Sequence, residues 1–229
     1  MSQGPADFGS GALSSISSTI YWYLVLGILF ILVTAPGAVP AMFLERHLSN
    51  APLYALFLAP VGPALSAMLF AHARRSQAED VTPARYFFRG YRLNLLDSLK
   101  VWLPATVLIL IMTINLAFVE ATGFGNWYVV VGVLIALFIV TLTLTQLVMV
   151  SLFKFRLSDV WRLSLGWLFS RPLQAAGILG VAVISGLIIV ITFDAVLLLL
   201  ASPLAALLLR MTQPLQDDLR QDYLEGNVA

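Results

Sequence analysis

The longest uninterrupted apolar stretch of the chain is Trp127–Phe153, WYVVVGVLIALFIVTLTLTQLVMVSLF, and it holds no charged residue. Its apolar residues are continuous rather than alternating, and a helix needs about 20 such residues to cross a hydrocarbon core of about 30 Å. Inside a bilayer every backbone amide must find its partner within the protein, which leaves helices or closed barrels. The stretch therefore predicts a transmembrane helix.

Five further apolar stretches flank it. The six predicted spans are residues 20–44, 53–73, 101–119, 127–153, 173–191 and 195–211. The composition agrees, because 60% hydrophobic and 11% charged residues are too few polar side chains for the surface of a water-soluble globule. The last span is short and carries Pro203, so a re-entrant hairpin is the alternative there. The predicted fold is an all-α polytopic transmembrane bundle of about six spans.

Lysine and arginine are strongly segregated. The loop between spans one and two has only Arg46, whereas the segments between spans two and three and between four and five hold ten basic residues. These are Arg74, Arg75, Arg85, Arg89, Arg92, Lys100, Lys154, Arg156, Arg162 and Arg171. The positive-inside rule places both basic segments in the cytoplasm. With six spans, residues 1–19 and a solvated tail, 212–229, are then cytoplasmic too, and the compartment is the inner membrane.

The two basic segments predict interface helices. In residues 84–98, Ala84, Phe88, Tyr91 and Leu95 recur at helical spacing beside Arg85, Arg89 and Arg92. Such a helix lies in the membrane surface with its aromatic residues toward the acyl chains and its arginines toward anionic headgroups. Residues 158–170 form a weaker second copy. Anchoring alone explains these helices, and docking of a partner is the alternative. The candidate contact residues are Arg85, Phe88, Arg89, Tyr91 and Arg92.

The sequence offers no candidate for chemistry. The chain has no cysteine, and the predicted topology puts His47 and His72 on opposite sides of the membrane. A proton relay needs an acid near the bilayer centre, and the acids Glu120 and Asp194 lie at span ends. We therefore expect no catalytic, cofactor-binding or metal site, no enzyme activity and no nucleic-acid partner.

Two polar or irregular features lie within the spans. The first is an intramembrane polar patch of Asn115, Thr141, Thr145 and Gln146, residue types that usually bond a neighbouring helix or their own backbone. The second is a pair of segments with Pro36 and Pro40 in span one and Pro60, Gly62 and Pro63 in span two. Proline removes a helical hydrogen bond, so both segments are predicted to be kinked or locally unwound. Either the kinks serve packing or the freed carbonyls form a pocket for a small solute or lipid.

Two sequence blocks resemble one known family. The first is GPALSAM at 62–68 followed by Arg74-Arg75, and the second is Thr82-Pro83 leading into YFFRGYRLNL at 86–95. In order and spacing they are similar, over residues 20–103, to the YesL family, domain of unknown function 624. The resemblance implies a bacterial integral membrane protein, often encoded beside carbohydrate-uptake ABC transporters and glycoside hydrolases. It carries over no catalytic residue.

Two functions of different class follow. The first is a non-catalytic accessory or scaffold protein of a membrane complex linked to carbohydrate uptake, with an ABC sugar transporter as the possible partner. The second is a small transporter or permease for a small solute or sugar. The spans lack charged midplane residues and the loops lack a Walker sequence, which favours the first.

The topology can be tested with single cysteines in this cysteine-free chain. We expect Ser49→Cys and Gly123→Cys to react with an impermeant thiol reagent from outside intact cells, and Ser76→Cys and Gly226→Cys to be protected, because the positive-inside rule fixes these sides. Outside labelling of Gly226→Cys would contradict six spans and support a re-entrant last segment.

Overall fold

The computed structural model describes residues 12–45, 47–75, 82–119, 125–191 and 194–226, and every regular element in these ranges is helical. The all-α prediction is confirmed. A 3₁₀ turn, Leu48–Asn50, precedes the second helix. The helices are α1 Ala12–Met42, α2 Ala51–Phe57, α3 Val61–Arg74, α4 Pro83–Ala117, α5 Asn126–Leu152, α6 Leu157–Ser170, α7 Pro172–Ile191, α8 Asp194–Met211 and α9 Gln213–Gly226.

The short helix α3 is the centre of the bundle. It packs against α1, α4, α5 and α8, and every residue from 62 to 71 except Leu65 is buried. Small side chains such as Ala64, Ser66 and Ala67 let the neighbouring backbones come close, which is how helices associate where lipid removes the hydrophobic drive between them. The core is therefore built around the stretch that also carries the first family-like sequence block.

Four helical segments in the described part of the chain are long and apolar enough to cross a membrane. They are Ile16–Met42, Leu48–Arg74, Pro83–Ala117 and Asn126–Leu152, and α6 with α7 makes a fifth if that bent pair is one span. Their outer faces expose large apolar side chains such as Leu32 and Leu134, a surface suited to lipid rather than water. The chain is a multi-pass membrane protein, and the count of six spans stays a prediction.

The predicted separate interface helix at 84–98 is wrong, because these residues are the first part of the 35-residue α4. No helix-breaking residue lies between Arg92 and Val101, and one buried stripe of α4 runs from Phe87 to Val101. The stripe consists of Phe87, Gly90, Asn94, Ser98 and Val101. Small and polar residues form this stripe because α4 lies close to α3, where a Cβ on Gly90 would come within 2.8–3.0 Å of the Phe70 side chain.

The second predicted interface helix, 158–170, corresponds to α6. Its axis turns by 106° into the following α7, so α6 runs across the end of the bundle rather than along it. Val160, Ser164 and Trp167 face the bundle, and Leu163 and Phe169 are exposed. This geometry suits a helix that lies in the membrane surface.

The two proline-rich segments behave differently. Of the predicted kink or local unwinding, the unwinding is wrong for Pro36 and Pro40, because α1 continues through both as far as Met42. It holds for span two, where residues 58–60 separate α2 from α3. Pro60 there is the N-cap of α3 and Pro63 lies in its first turn, where a missing N–H costs nothing because those donors have no helical partner.

The predicted solvated tail is only partly solvated. Residues 213–226 form α9, whose Leu215 and Leu219 join the apolar core. Arg171 at the α6–α7 corner also forms a salt bridge with Asp218 of α9 at 2.9 Å. The many Asp and Gln residues led to the prediction of a solvated tail. The segment is an amphipathic helix instead, because one leucine every four residues is enough to hold one face on the bundle.

Close helix contacts at glycine give the first mutational prediction. A Cβ on Gly62 would lie 2.4 Å from Cγ of Trp102, whereas a Cβ on Gly180 has nothing within 4 Å. We expect Gly62→Ala to lower the free energy of unfolding by about 1–3 kcal/mol through overpacking. Gly180→Ala, the matched control, should leave it equal or slightly higher, since alanine favours helix by about 0.5–1 kcal/mol. Thermal unfolding in detergent, followed by tryptophan fluorescence, measures both. Equal destabilisation of the two variants would contradict the packing of Trp102 on Gly62.

Candidate functional sites

The predicted contact residues lie on the first turns of α4. Arg85, Phe88, Arg89 and Arg92 are exposed, whereas Tyr91 is half-buried against the core. A helix of 35 residues is about 52 Å long, which exceeds the hydrocarbon thickness of about 30 Å. The basic turns therefore extend α4 beyond the hydrocarbon, toward the headgroups and the water, and Tyr91 belongs to the packing rather than to the exposed face.

The intramembrane polar patch is mostly self-contained. Thr141 donates a hydrogen bond to the carbonyl of Leu137 at 2.8 Å, and Thr145 donates to the carbonyl of Thr141 at 2.9 Å. Such bonds within one helix satisfy a hydroxyl group in an apolar environment. The structure thus places Thr141 and Thr145 together, with both hydroxyls occupied by their own helix.

The other two members of the predicted patch lie apart from each other. Gln146 is buried and its Nε2 donates to Ser164 Oγ at 3.3 Å, which ties α5 to α6. Asn115 is exposed and bonds only its own helix, at the carbonyl of Ile111. The structure therefore does not join Asn115 to Thr141 or Thr145 by a hydrogen bond.

The break in span two leaves a carbonyl that the protein itself satisfies. The Leu58 carbonyl accepts a hydrogen bond from Trp102 Nε1 at 2.8 Å and another from the Val61 backbone N–H at 3.1 Å. The indole rests on Gly62, the only residue type with room for it at that distance. This backbone carbonyl thus helps to pack α4 onto the start of α3 and is bonded within the protein.

A buried polar junction joins α3, α4 and α5 near the end of α5. The Asn94 amide donates to the carbonyl of Ser151 at 3.0 Å, and Ser151 Oγ donates to Ser66 Oγ at 2.8 Å. Ser151 is in the last turn of α5, where the final four carbonyls have no helical partner. Asn94 therefore caps the end of one helix from the side of another.

Lys154 closes this junction on its outer side. Its ammonium group donates to the Leu93 carbonyl at 2.8 Å and to Asn94 Oδ1 at 3.3 Å, and it lies 3.4 Å from Asp97 Oδ2. The ion pair is 60% and 39% exposed at its two side chains, so it stabilises the fold only weakly. The polar junction, which sequence reasoning missed, therefore depends mainly on the buried amide.

Two histidines lie at opposite ends of span two. His47 pairs with Ser49 in the turn before α2, and His72, in the last turn of α3, lies 3.1 Å from Ser202 Oγ of α8. The His72–Ser202 pair has the composition of a nucleophile and its base. Ser202 is only 1% exposed, and in the described part of the chain no group of three His, Asp or Glu side chains could hold a metal. The pair therefore joins α3 to α8.

These features define the class of the protein: a multi-pass helical membrane protein whose buried polar groups tie its helices together. Residues 20–116, from the early part of α1 almost to the end of α4, match the family model described as "Protein of unknown function, DUF624". The resemblance to the YesL family is thereby confirmed over this part of the chain. Neither the comparison with curated proteins nor that with solved structures gives a match.

The polar junction can be tested with two asparagines of α4. We expect Asn94→Ala to lower the free energy of unfolding by about 1–2 kcal/mol, because it leaves the Ser151 carbonyl without its donor. Asn115→Ala removes the same chemical group at an exposed site and should change the free energy of unfolding by less than about 0.5 kcal/mol. Denaturation in mixed detergent micelles measures both. A larger effect at Asn115 than at Asn94 would contradict the assignment.

Proposed function

We propose that the protein is a non-catalytic accessory or scaffold component of a bacterial membrane complex that serves carbohydrate uptake. In this proposal the basic end of the bundle, where α3 ends and α4 begins, faces the cytoplasm together with both termini. The observation that carries it is that polar groups of different helices bond one another, in the buried pairs Asn94–Ser151 and Ser66–Ser151 and, at the exposed break of span two, in Trp102–Leu58.

A solute path needs polar groups that can exchange protein partners for a ligand, and transporters place such groups at broken helices near the bilayer midplane. Here the Leu58 carbonyl at the break accepts hydrogen bonds from Trp102 Nε1 at 2.8 Å and from the Val61 N–H at 3.1 Å. Thr141 and Thr145 bond their own backbone in the same way. These pairings favour a rigid body that supports another protein over a body that alternates between two shapes.

The contact face of the scaffold is the exposed turn of α4 with Arg85, Phe88, Arg89 and Arg92. Because it extends beyond the hydrocarbon, it can meet anionic headgroups and a membrane partner at the same level. The partner class comes from the YesL resemblance, which implies genes encoded beside carbohydrate-uptake ABC transporters. An ABC sugar transporter is therefore the proposed partner.

The alternative function is a small permease for a solute or sugar. One observation favours it, namely the break at residues 58–60 between two short helices in the middle of a predicted span. A rearrangement that moved Trp102 away from Leu58 would free the carbonyl for a ligand.

Co-purification of a partner tests the scaffold proposal against the permease alternative. We expect the protein, tagged at its natural expression level and purified in mild detergent, to carry a sugar-transporter permease subunit that mass spectrometry identifies. The variant Arg85→Gln with Phe88→Ala and Arg89→Gln should lose this partner, because it removes the exposed contact face. The matched variant Arg156→Gln with Arg162→Gln, which removes two exposed charges elsewhere, should keep it.

A transport assay in liposomes tests the permease alternative. Uptake of a sugar by the purified protein alone in liposomes, abolished by Trp102→Leu without loss of folded protein, would contradict the scaffold proposal and establish the permease.

A further inference from the structure

A polar cleft of about 260 Å³ opens at the basic end of the bundle, between α1, α3, α8 and α9. It is separate from the exposed face of α4. Its polar lining residues are Tyr23, His72, Arg75, Arg210, Gln213 and Gln216. The volume is close to the lower limit of about 300 Å³ for small-molecule pockets, so it suits an ion or a single headgroup.

Arg75 is held in place at this cleft rather than free in water. Its guanidinium donates to Thr19 Oγ1 at 2.6 Å, and its Cζ lies 6.0 Å from the ring of Trp22 and 5.9 Å from that of Tyr23. These contacts fix the orientation of the planar guanidinium while leaving several of its five N–H donors available. A positioned arginine of this kind is the usual ligand for carboxylate or phosphate groups.

Donors exceed acceptors around the cleft. Arg210 also lines the cleft, and in the described part of the chain neither its guanidinium nor that of Arg75 forms an ion pair. Gln216 adds no free donor, because its amide already bonds the Leu209 carbonyl and Thr212. The remaining hydrogen-bond donors and the two positive charges favour the binding of an anionic acceptor in the cleft.

The nearest carboxylates of α9 do not supply that charge. Asp217 and Asp218 follow Gln216 directly along the helix, but neither lines the cleft. Asp218 is already paired with Arg171 at 2.9 Å, and Asp217 is exposed. The lining residues therefore carry a net positive charge from two arginines.

We propose that this cleft is a binding site for a phosphate group, carried either by an anionic lipid headgroup or by a soluble phosphate ester. Arg75 binds the phosphate oxygens from one side and Arg210 from the other, with the Tyr23 hydroxyl and the Gln213 amide as further donors from the lining. The site also explains why Arg75 is oriented by two aromatic rings and a hydroxyl.

The test uses the intact purified protein, depleted of lipid in a maltoside detergent. Its thermal unfolding is followed against rising phosphatidylglycerol in one arm and rising inorganic phosphate in the other, with phosphatidylcholine as the neutral lipid. A ligand that binds only the folded state raises the unfolding temperature in a saturable way. A rise in the first arm alone identifies a lipid headgroup, and a rise in the second identifies a soluble phosphate.

The variant Arg75→Gln with Arg210→Gln should weaken the apparent affinity about tenfold or more, because each charge-assisted bond contributes at least that factor. Arg156→Gln with Arg162→Gln removes the same charge at exposed positions and is the matched control, which should bind like the wild type. If the double variant does not fold, Arg210→Gln alone serves, since Arg210 is exposed.

Two results would overturn the proposal. The first is no saturable shift in either arm. The second is equal weakening by the cleft variant and by the control.

Discussion

The structure depends on the close packing of α4 on the interrupted span two. The span is interrupted at residues 58–60, next to Pro60, which has no N–H to continue the helical hydrogen bonds. There the Trp102 indole donates to the Leu58 carbonyl at 2.8 Å, beside the bond from the Val61 N–H, and Gly62 provides the space for the ring. Further along α4, Gly90 lies against Phe70 of α3, and α1, α5 and α8 also pack on α3.

Buried polar groups join other helices of the bundle. Asn94 caps the end of α5, Ser66 accepts from Ser151, and Ser202 pairs with His72 where α8 meets α3. Each bond joins two helices, and two of the three helix pairs they connect include α3. These polar residues therefore act as interhelical ties, which is the basis of the scaffold proposal. The polar cleft lined by two arginines lies at the end of the bundle rather than at its centre.

Sequence patterns predicted the class and the helices well, because long apolar runs and a strong bias of basic residues are direct consequences of the bilayer. They failed along α4, where the residues that look least suited to a core, Gly90, Asn94 and Ser98, are the buried ones. A stripe of small residues becomes a core only when another helix lies close, and the sequence does not show which helices are neighbours. The sequence pattern placed Asn115 in a polar patch and assigned no role to Asn94, for the same reason.

The central claim is that α3 is enclosed and that the end of α5 rests on it. Oxidative cross-linking of Ser66→Cys with Ser151→Cys in native membranes tests it most directly, since the two hydroxyls are 2.8 Å apart and the chain has no other cysteine. A disulfide needs Cα atoms about 4.4–6.8 Å apart, so we predict a high yield of the cross-linked peptide pair by mass spectrometry. The pair Ser66→Cys with Asn115→Cys is the control and should give none. No cross-link at 66–151, or an equal yield in the control, would contradict the account.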